Sequence, residues 1–393
     1  MPWVNITVDP DGSIKPCCVS QDFIKKPTGE KFNLGFDKIE DIANSKDLVE
    51  IRKKMLAGEK VAGCSQCYQH EEYGGKSQRL QYNQMFPLKF SQSYVERTDI
   101  KYFDLRLGNL CNLNCRSCSP KNSSQFSKEI NELHNTNITK FHEILPLTID
   151  TWYESDVFMD NIDSQLKNIK LLYLTGGEPT IIKKNFEILN KLISTGFSKN
   201  ITVMINSNMT NLNSDFYEML DEFKSVIFFA SIDGTGPIQE YLRYPSDWNQ
   251  IDNNITKLIK RANIKIRPTP VIQTTNLNKI VDLFEYFENF NISANKSIVE
   301  MMPIVLENPK YLDLLYLPLD YKLMCWERIE KFIKNCKFQS PLFFNKMKAL
   351  KNKCLLDSVD LEYLNLYKEY NTILDINRNQ KLSDINPELY TIL

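Results

Sequence analysis

The sequence lacks any run of about 20 apolar residues, the length that an α-helix needs to cross a bilayer. Its first residues, Met1 to Asn5, show no charged leader followed by an apolar core, so we expect no export signal. It also has no internal repeat and no low-complexity linker. These absences predict a cytoplasmic protein that neither spans a membrane nor forms a repeat array.

An excess of basic residues is absent as well. The chain has 48 Lys and Arg against 49 Asp and Glu, so we expect no general nucleic-acid binding. Its 393 residues, 42% of them hydrophobic, suffice for a barrel-sized domain of about 200 to 250 residues and one smaller unit. Ten cysteines in a reducing compartment are better explained as ligands than as disulfides, because seven fall in tight groups.

The most informative cysteine group is Cys111, Cys115 and Cys118, spaced C-x3-C-x2-C after a strand-like apolar alternation. Three thiolates are one short of the four that fully ligate a [4Fe-4S] cluster, so one iron would stay open to a small molecule. Zinc or simple burial is the alternative. A zinc site normally needs a fourth Cys or His, and the nearest downstream candidate, His134, lies in a polar stretch without ligand-like spacing. The pattern favours an iron–sulfur cluster.

A second motif, Gly176-Gly177-Glu178-Pro179, follows the strand-like run 171–174. Together with the cysteine motif, it resembles the radical S-adenosylmethionine (SAM) superfamily over roughly residues 100 to 305. The resemblance implies an α/β fold, a partial (β/α)6 barrel of TIM type. It also implies that the open iron binds SAM and that an electron from the cluster cleaves SAM to a 5′-deoxyadenosyl radical.

Three regions can be drawn along the chain. Residues 1–95 are predicted to form a small α+β cysteine-rich module, 96–310 the barrel, and 311–393 a helical extension. Strands alternating with helices indicate a mostly parallel sheet. The predicted barrel strands are Lys101–Leu107, Ile169–Leu174, Ile201–Ile205, Val226–Ser231, Ile264–Gln273 and Ile298–Ile304. The predicted helices include Lys183–Ser194, Ser214–Phe223, Ile251–Lys260, Leu277–Phe290 and Tyr321–Lys334, with further helices expected within 120–166.

The resemblance also indicates which residues contact SAM. The Gly176–Pro179 loop is expected to receive the SAM amino group, because glycine allows close approach and positive φ. Short polar side chains at later strand ends can hydrogen-bond the ribose and carboxylate. These candidates are Ser207, Asn208, Ser231 and Asp233, the last two having an ordinary turn as the alternative.

Arg243 is the candidate clamp for the SAM carboxylate, since a planar guanidinium suits that task. A solvated surface charge is the alternative. One position departs from the family pattern: Ser117 stands before the third cysteine, where an aromatic residue is usual. Adenine recognition is therefore expected to use backbone and other walls, near Val271.

A second cysteine group precedes the barrel region. Cys17 and Cys18 follow a Pro-Asp-Gly turn, and Cys64 and Cys67 form a C-x2-C pair. This order resembles the twitch or SPASM auxiliary-cluster module, which in most relatives follows the barrel. The resemblance implies a second [4Fe-4S] cluster on Cys17, Cys64 and Cys67. Cys18 is either the fourth ligand or a bystander, with His70 or a substrate group as other candidates, and a zinc site is the alternative.

The resemblance implies an oxidoreductase-type radical SAM enzyme that modifies a peptide or protein. A nucleotide or small-metabolite substrate is one alternative, and a non-catalytic iron–sulfur or zinc sensor or scaffold is another, because the fold does not choose between them. The expected partner is an electron donor such as a flavodoxin or ferredoxin.

Overall fold

The structure is a computed structural model that describes residues 1–72, 77–87, 99–145 and 151–393. Its strands, in chain order, are β1 Asn5–Val8, β2 Ile14–Lys15, β3 Tyr102–Arg106, β4 Asn114–Cys115, β5 Leu171–Thr175, β6 Thr202–Ser207, β7 Ser225–Ala230, β8 Arg243–Tyr244, β9 Ile264–Pro268, β10 Val271–Ile272 and β11 Ile304–Val305. The first helices are α1 Ile39–Ala43, α2 Lys46–Leu56, α3 Ser65–Glu72, α4 Gln78–Met85, α5 Ser124–Glu132, α6 Asp156–Gln165, α7 Lys183–Ser194 and α8 Ser214–Asp221. The later helices are α9 Pro237–Leu242, α10 Trp248–Leu258, α11 Ile280–Ala294, α12 Leu319–Asn335, α13 Pro341–Cys354, α14 Leu361–Arg378, α15 Leu382–Ile385 and α16 Pro387–Ile392.

The chain divides into two compact units. The first comprises Met1–Leu110, Thr148–Ile205 and Glu218–Ser225, and the second Cys111–Leu147, Asn206–Tyr217 and Val226–Leu393. Each unit is made of three segments that are separated along the chain. The division into 1–95, 96–310 and 311–393 stays a prediction.

The first unit is built on a sheet with the strand order β2-β1-β3-β5-β6. β1 pairs parallel with β3, β3 with β5 and β5 with β6, while β2 is antiparallel to β1. One face of this sheet is apolar and buried, and it carries Ile6, Val8, Phe103, Leu105, Leu172, Leu174, Val203 and Ile205. The parallel sheet and its interspersed helices confirm the predicted α/β class.

The second unit holds the parallel pair β7-β9, the parallel pair β10-β11 and the antiparallel pair β4-β8. The strand predicted over 264–273 divides into β9 and β10, because Pro268 and Pro270 bring no N–H groups to a ladder. The predicted strand 298–304 is largely wrong. Only a bridge at Val299 and the short β11 form there, since Pro303 interrupts the run.

The helices follow the predicted apolar periodicity closely. α7 has the predicted bounds, and α8, α10, α11 and α12 differ from prediction by a few residues at their ends. Within 120–166 the structure places α5 and α6, and residues 146–150 lie outside the described part. Asp247 and Ser123 cap α10 and α5 with side-chain oxygens, which satisfies first-turn N–H groups. None of the helices in the described ranges is long and apolar enough to cross a membrane.

Candidate functional site

The second unit brings together the three thiols of the C-x3-C-x2-C motif. Cys111 and Cys115 are each 9% exposed and pack around the buried Leu113, and Cys118 packs against them. The loop is held locally, since Cys118 N–H donates to the Cys115 carbonyl at 3.0 Å and Cys111 N–H donates to Ser124 Oγ at 3.1 Å. Ser124 opens α5, so that helix fixes the start of the motif.

This donor set suits an iron–sulfur cluster. Burial and the neighbouring thiols Cys115 and Cys111 raise the pKa of Cys118 to about 12, and burial also raises the pKa of Cys115. Binding to iron removes that cost because the thiolate is the ligand form. Among the described residues, no three Cys, His, Asp or Glu side chains converge on one metal ion. A cluster does not require this convergence, because each thiolate binds a different iron.

Arg243 lies beside the cysteine loop and is not a surface charge. β4 pairs with β8, which sets Cys115 opposite Arg243, and Arg243 Nη1 lies 3.8 Å from Cys115 Sγ. Its Nε donates to Asp233 Oδ2 at 2.8 Å, and the two side chains are 12% and 1% exposed. Burial alone would lower the pKa of Arg243, but Asp233 and Cys115 raise it. The other Asp233 oxygen accepts the N–H of Val271 at 2.8 Å.

Ser207 ends β6, Asn208 follows it, and both are buried. Asn208 Nδ2 donates to Asn112 Oδ1 at 2.9 Å, so its side chain connects this loop to the cysteine loop. Ser207 Oγ accepts the N–H of Met209 at 3.0 Å, and its carbonyl accepts the N–H of Ser231 at 2.8 Å. The structure therefore brings Ser207 and Ser231 together, and contact of these residues with SAM stays a prediction.

The Gly176–Pro179 loop belongs to the first unit. Gly176 and Gly177 have φ of +83° and +54°. A Cβ on Gly177 would lie 2.1 Å from the Leu110 carbonyl oxygen, which also accepts the Glu178 N–H at 2.8 Å. The Glu178 carboxylate accepts the hydroxyl of Thr180 at 2.7 Å. Glycine is thus required because the loop packs on the residue that precedes Cys111 in the chain.

Sequence reasoning missed two arginines that hold the cysteine loop. Arg116, between the second and third cysteines, is 1% exposed. Its guanidinium donates to Asn371 Oδ1 at 2.9 Å and to Asp375 Oδ1 at 2.6 Å, and it lies 3.6 Å from the Tyr241 ring centroid. The Tyr370 hydroxyl donates to the Arg116 carbonyl at 2.7 Å. Three of these partners lie on α14, so this helix contacts the motif directly.

Arg378, at the end of α14, is the second of these arginines. Its Nε and Nη2 donate to the two Glu129 oxygens at 2.8 and 2.6 Å, and Nη2 also donates to the Asn114 carbonyl at 2.8 Å. The Arg378 and Glu129 side chains are 0% and 5% exposed. Burial would raise the pKa of Glu129, yet Arg378 keeps it below its usual value. An arginine inside the cysteine motif could have been noticed, but nothing near Arg378 signals its role.

Cys17, Cys64 and Cys67 lie together in the first unit. They line a cavity of about 480 Å³ that is also bordered by Arg79 and Tyr82. Burial and the Cys17 and Cys67 thiols raise the pKa of Cys64 to about 11. Burial raises the pKa of Cys17, and backbone hydrogen bonds from Val19 and Ser20 oppose that rise. Three of the four predicted auxiliary ligands therefore share one space.

Cys18 does not line this cavity. Burial, the Asp104 carboxylate and the Cys17 thiol raise its pKa to about 12, and Arg106 opposes that rise. His70 is exposed on α3. These surroundings favour the bystander role for Cys18 and do not bring His70 to the three thiols.

Comparisons with known proteins agree with the two cysteine motifs. A family model described as the radical SAM superfamily matches residues 105–287, and the SPASM model, described as an iron-sulfur cluster-binding domain, matches residues 1–68. An uncharacterized protein of Methanocaldococcus jannaschii is 27% identical over 277 residues, which cover 68% of this chain and 82% of that protein.

Two solved structures are also similar. Native anSMEcpe with bound AdoMet has a TM-score of 0.39 at 16% identity, covering 61% of each chain. Streptococcus suis SuiB bound to precursor peptide SuiA has a TM-score of 0.37 at 12% identity, covering 88% of this chain and 75% of that one. The chain therefore spans about three fifths of the length of the first of these structures.

Proposed function

We propose that this radical SAM enzyme, which carries a SPASM-like auxiliary-cluster module before its radical SAM domain, modifies a peptide or protein substrate. The two domains imply iron–sulfur clusters and SAM binding. A [4Fe-4S] cluster on Cys111, Cys115 and Cys118 would supply the electron that cleaves SAM to a 5′-deoxyadenosyl radical. The observation that carries the proposal is the packing of these three thiols, with Cys111 and Cys115 buried, Cys118 partly buried, and Arg243 3.8 Å from Cys115.

The residues around the loop would prepare it for the cluster. Arg243 and Arg378 favour the thiolate form of Cys115, against the effect of burial. Asp233 holds the Arg243 guanidinium in place. Arg378 on α14 binds the Asn114 carbonyl, and Arg116 binds Asp375 on the same helix. These two contacts fix the backbone on both sides of Cys115, which limits the positions that its thiolate can occupy.

Each unit carries its own candidate SAM contacts at strand ends. In the first unit, the Gly176–Pro179 loop, which includes Gly177 and Glu178, is the candidate for the SAM amino group. In the second unit, Ser207, Asn208, Ser231 and Asp233 are the candidates for its ribose and carboxylate. Arg243 would contribute its charge to the SAM carboxylate while it holds Cys115. Reducing equivalents would come from a flavodoxin or ferredoxin class of donor.

A second [4Fe-4S] cluster would lie on Cys17, Cys64 and Cys67. Its fourth ligand position would face the cavity of about 480 Å³, because Cys17, Cys64 and Cys67 line that cavity and Cys18 does not. A variant with Cys111, Cys115 and Cys118 all changed to Ala should then keep about four irons per chain. If that variant contained zinc and no iron, the second cysteine group would be a structural zinc site and not a cluster site.

The proposal is tested by 5′-deoxyadenosine formation in anaerobic, iron-loaded protein under reduction. Cys115→Ala should abolish it, because the cluster loses one of its three protein ligands. Cys325→Ala is the matched control, since Cys325 is also a buried thiol, on α12 and outside both cysteine groups. Full SAM cleavage by the Cys115→Ala protein would contradict the proposal.

A further inference from the structure

Charged side chains border the cavity that the thiols of the second cysteine group line. Among the described residues of its wall, the basic and acidic side chains are Lys60, Arg79, Glu59 and Glu71. Lys60 is 70% exposed and pairs with Glu72, and Glu59 is exposed too. Arg79 and Glu71 are only 32% and 19% exposed. Because water and salt screen exposed charges, these two act most strongly inside the cavity.

The Glu71–Arg79 pair is built on the helix that carries one of the thiols. α3 supplies Cys67 and, four residues later, Glu71, so both side chains lie on one side of this helix. Arg79 comes from α4, and its Nε and Nη2 donate to the two Glu71 oxygens, Nε at 3.1 Å. The Ser77 hydroxyl donates to the same carboxylate. The Arg79 guanidinium also lies 5.3 Å from the centroid of the Tyr68 ring, which holds it over another side chain of α3.

The Arg79 charge acts on the thiols of this cavity. Burial and the Cys17 and Cys67 thiols raise the pKa of Cys64, and Arg79 opposes that rise. In the other direction, Glu71 above all, and also Cys64, raise the pKa of Arg79. The guanidinium therefore favours negative charge at Cys64, and a carboxylate held against it carries the opposite sign.

We propose that the Glu71–Arg79 pair sets the reduction potential of the second [4Fe-4S] cluster, with Arg79 raising it and Glu71 lowering it. Net charge is one of the factors that fix the potential of such a cluster. Reduction adds one electron, which converts [4Fe-4S]²⁺ to [4Fe-4S]⁺ without making or breaking a bond. A nearby cation stabilises the added negative charge, and a nearby anion destabilises it. The inference rests on the second cluster of the proposed function and gives a role to two residues that are not its ligands.

The experiment is an anaerobic redox titration of the full-length, iron-loaded protein, followed by electron paramagnetic resonance of the reduced cluster. It uses the variant with Cys111, Cys115 and Cys118 changed to Ala, so that the signal comes from the second cluster alone. Arg79→Met should disfavour reduction at least about threefold, or about 28 mV at 59 mV per decade, because it removes the cation and leaves the Glu71 carboxylate unpaired. Glu71→Gln should shift the potential upward, because it removes the anion and keeps the guanidinium.

Lys199→Met is the matched control, because Lys199 forms an exposed pair with Glu222 away from the cavity, and it should keep the parent potential. If the triple Ala variant fails to fold, the titrations use the parent background, where added SAM changes the signal of the first cluster and so identifies the second. Unchanged potentials, shifts of the same sign in the Arg79 and Glu71 variants, or zinc in place of iron would overturn the inference. A loss of stability alone would not give opposite shifts. The titration needs no SAM cleavage, so absence of 5′-deoxyadenosine formation would refute the proposed radical chemistry and leave this result standing.

Discussion

Replacing Arg378 tests whether α14 holds the cysteine loop. Arg378→Met removes two bonds to Glu129 and one to the Asn114 carbonyl, and it leaves the Glu129 carboxylate buried without its cation. Breaking a buried ion pair by removing one partner typically costs about 3 to 5 kcal/mol of unfolding free energy. Both side chains are at most 5% exposed, so little solvent screening reduces this figure.

The assay is urea unfolding of the cluster-free protein, so that loss of iron does not contribute to the measured free energy. Glu129→Gln and the double variant complete a double-mutant cycle. The double variant should lose less stability than the two single variants summed, with a coupling of about 2 kcal/mol or more, since it leaves neither charge alone.

The loss in Arg378→Met should depend on pH. Without the guanidinium, burial raises the Glu129 pKa above its unfolded value of about 4.3. The folded variant then binds more protons than the unfolded chain between these two pKa values, so its stability falls as pH rises through that window. The loss relative to the parent should be larger at about pH 8 than at about pH 5. A loss under about 1 kcal/mol at the higher pH, or strict additivity in the cycle, would refute the reasoning.

Two further predictions concern residues that are proposed to contact SAM. Gly177→Ala should destabilise the protein and weaken SAM binding, because its Cβ would lie 2.1 Å from the Leu110 oxygen. Gly196→Ala is the control, since Gly196 has a φ of +76° but no atom lies within 4 Å of the added Cβ, and it should lose only about 1–2 kcal/mol of stability through backbone strain. If calorimetry and SAM titration showed equal losses of stability and of SAM affinity in the two variants, the close contact at Gly177 would not be the cause. Arg243→Met should weaken SAM binding about ten- to a hundredfold with iron retained, because a charge-assisted bond of about 1.5–3 kcal/mol is lost. Arg267→Met, whose pair with Glu300 is about one third exposed, should bind SAM like the parent, and an Arg243→Met titration that matched it would exclude Arg243 from the SAM site.

The parts of the structure that depend on residues close together in the sequence could be predicted from it. The apolar periodicity of α7 is a local pattern, and so the bounds of this helix were predicted correctly. The spacing of Cys111, Cys115 and Cys118 is also local, and the structure brings these thiols together. The predicted strand 298–304 was largely wrong because the β-branched residues of this stretch favour a strand, whereas Pro303 interrupts it. The predicted SAM contacts come from the family resemblance, because composition and periodicity alone do not point to them.

Contacts between distant segments could not be read in this way. Glu129 and Arg378 are 249 residues apart, and each taken alone looks like an ordinary helix-surface charge. The burial of Asp104 on β3 is a similar case. The alternation in Tyr102–Arg106 predicts a strand, but only the pairing with β1 and β5 shows that Asp104 is buried.

The contact between α14 and the cysteine loop has a consequence for the order of events during synthesis. Asp375 follows Arg116 by 259 residues, so at about 5–20 residues per second the ribosome adds it about 13 to 52 s later. Until α14 is synthesised, the nascent loop has its cysteines but none of its α14 partners. Iron delivered then would meet three thiols on an unsupported backbone. We therefore expect stable cluster insertion to follow translation of α14, which makes the timing of iron delivery part of how this protein matures.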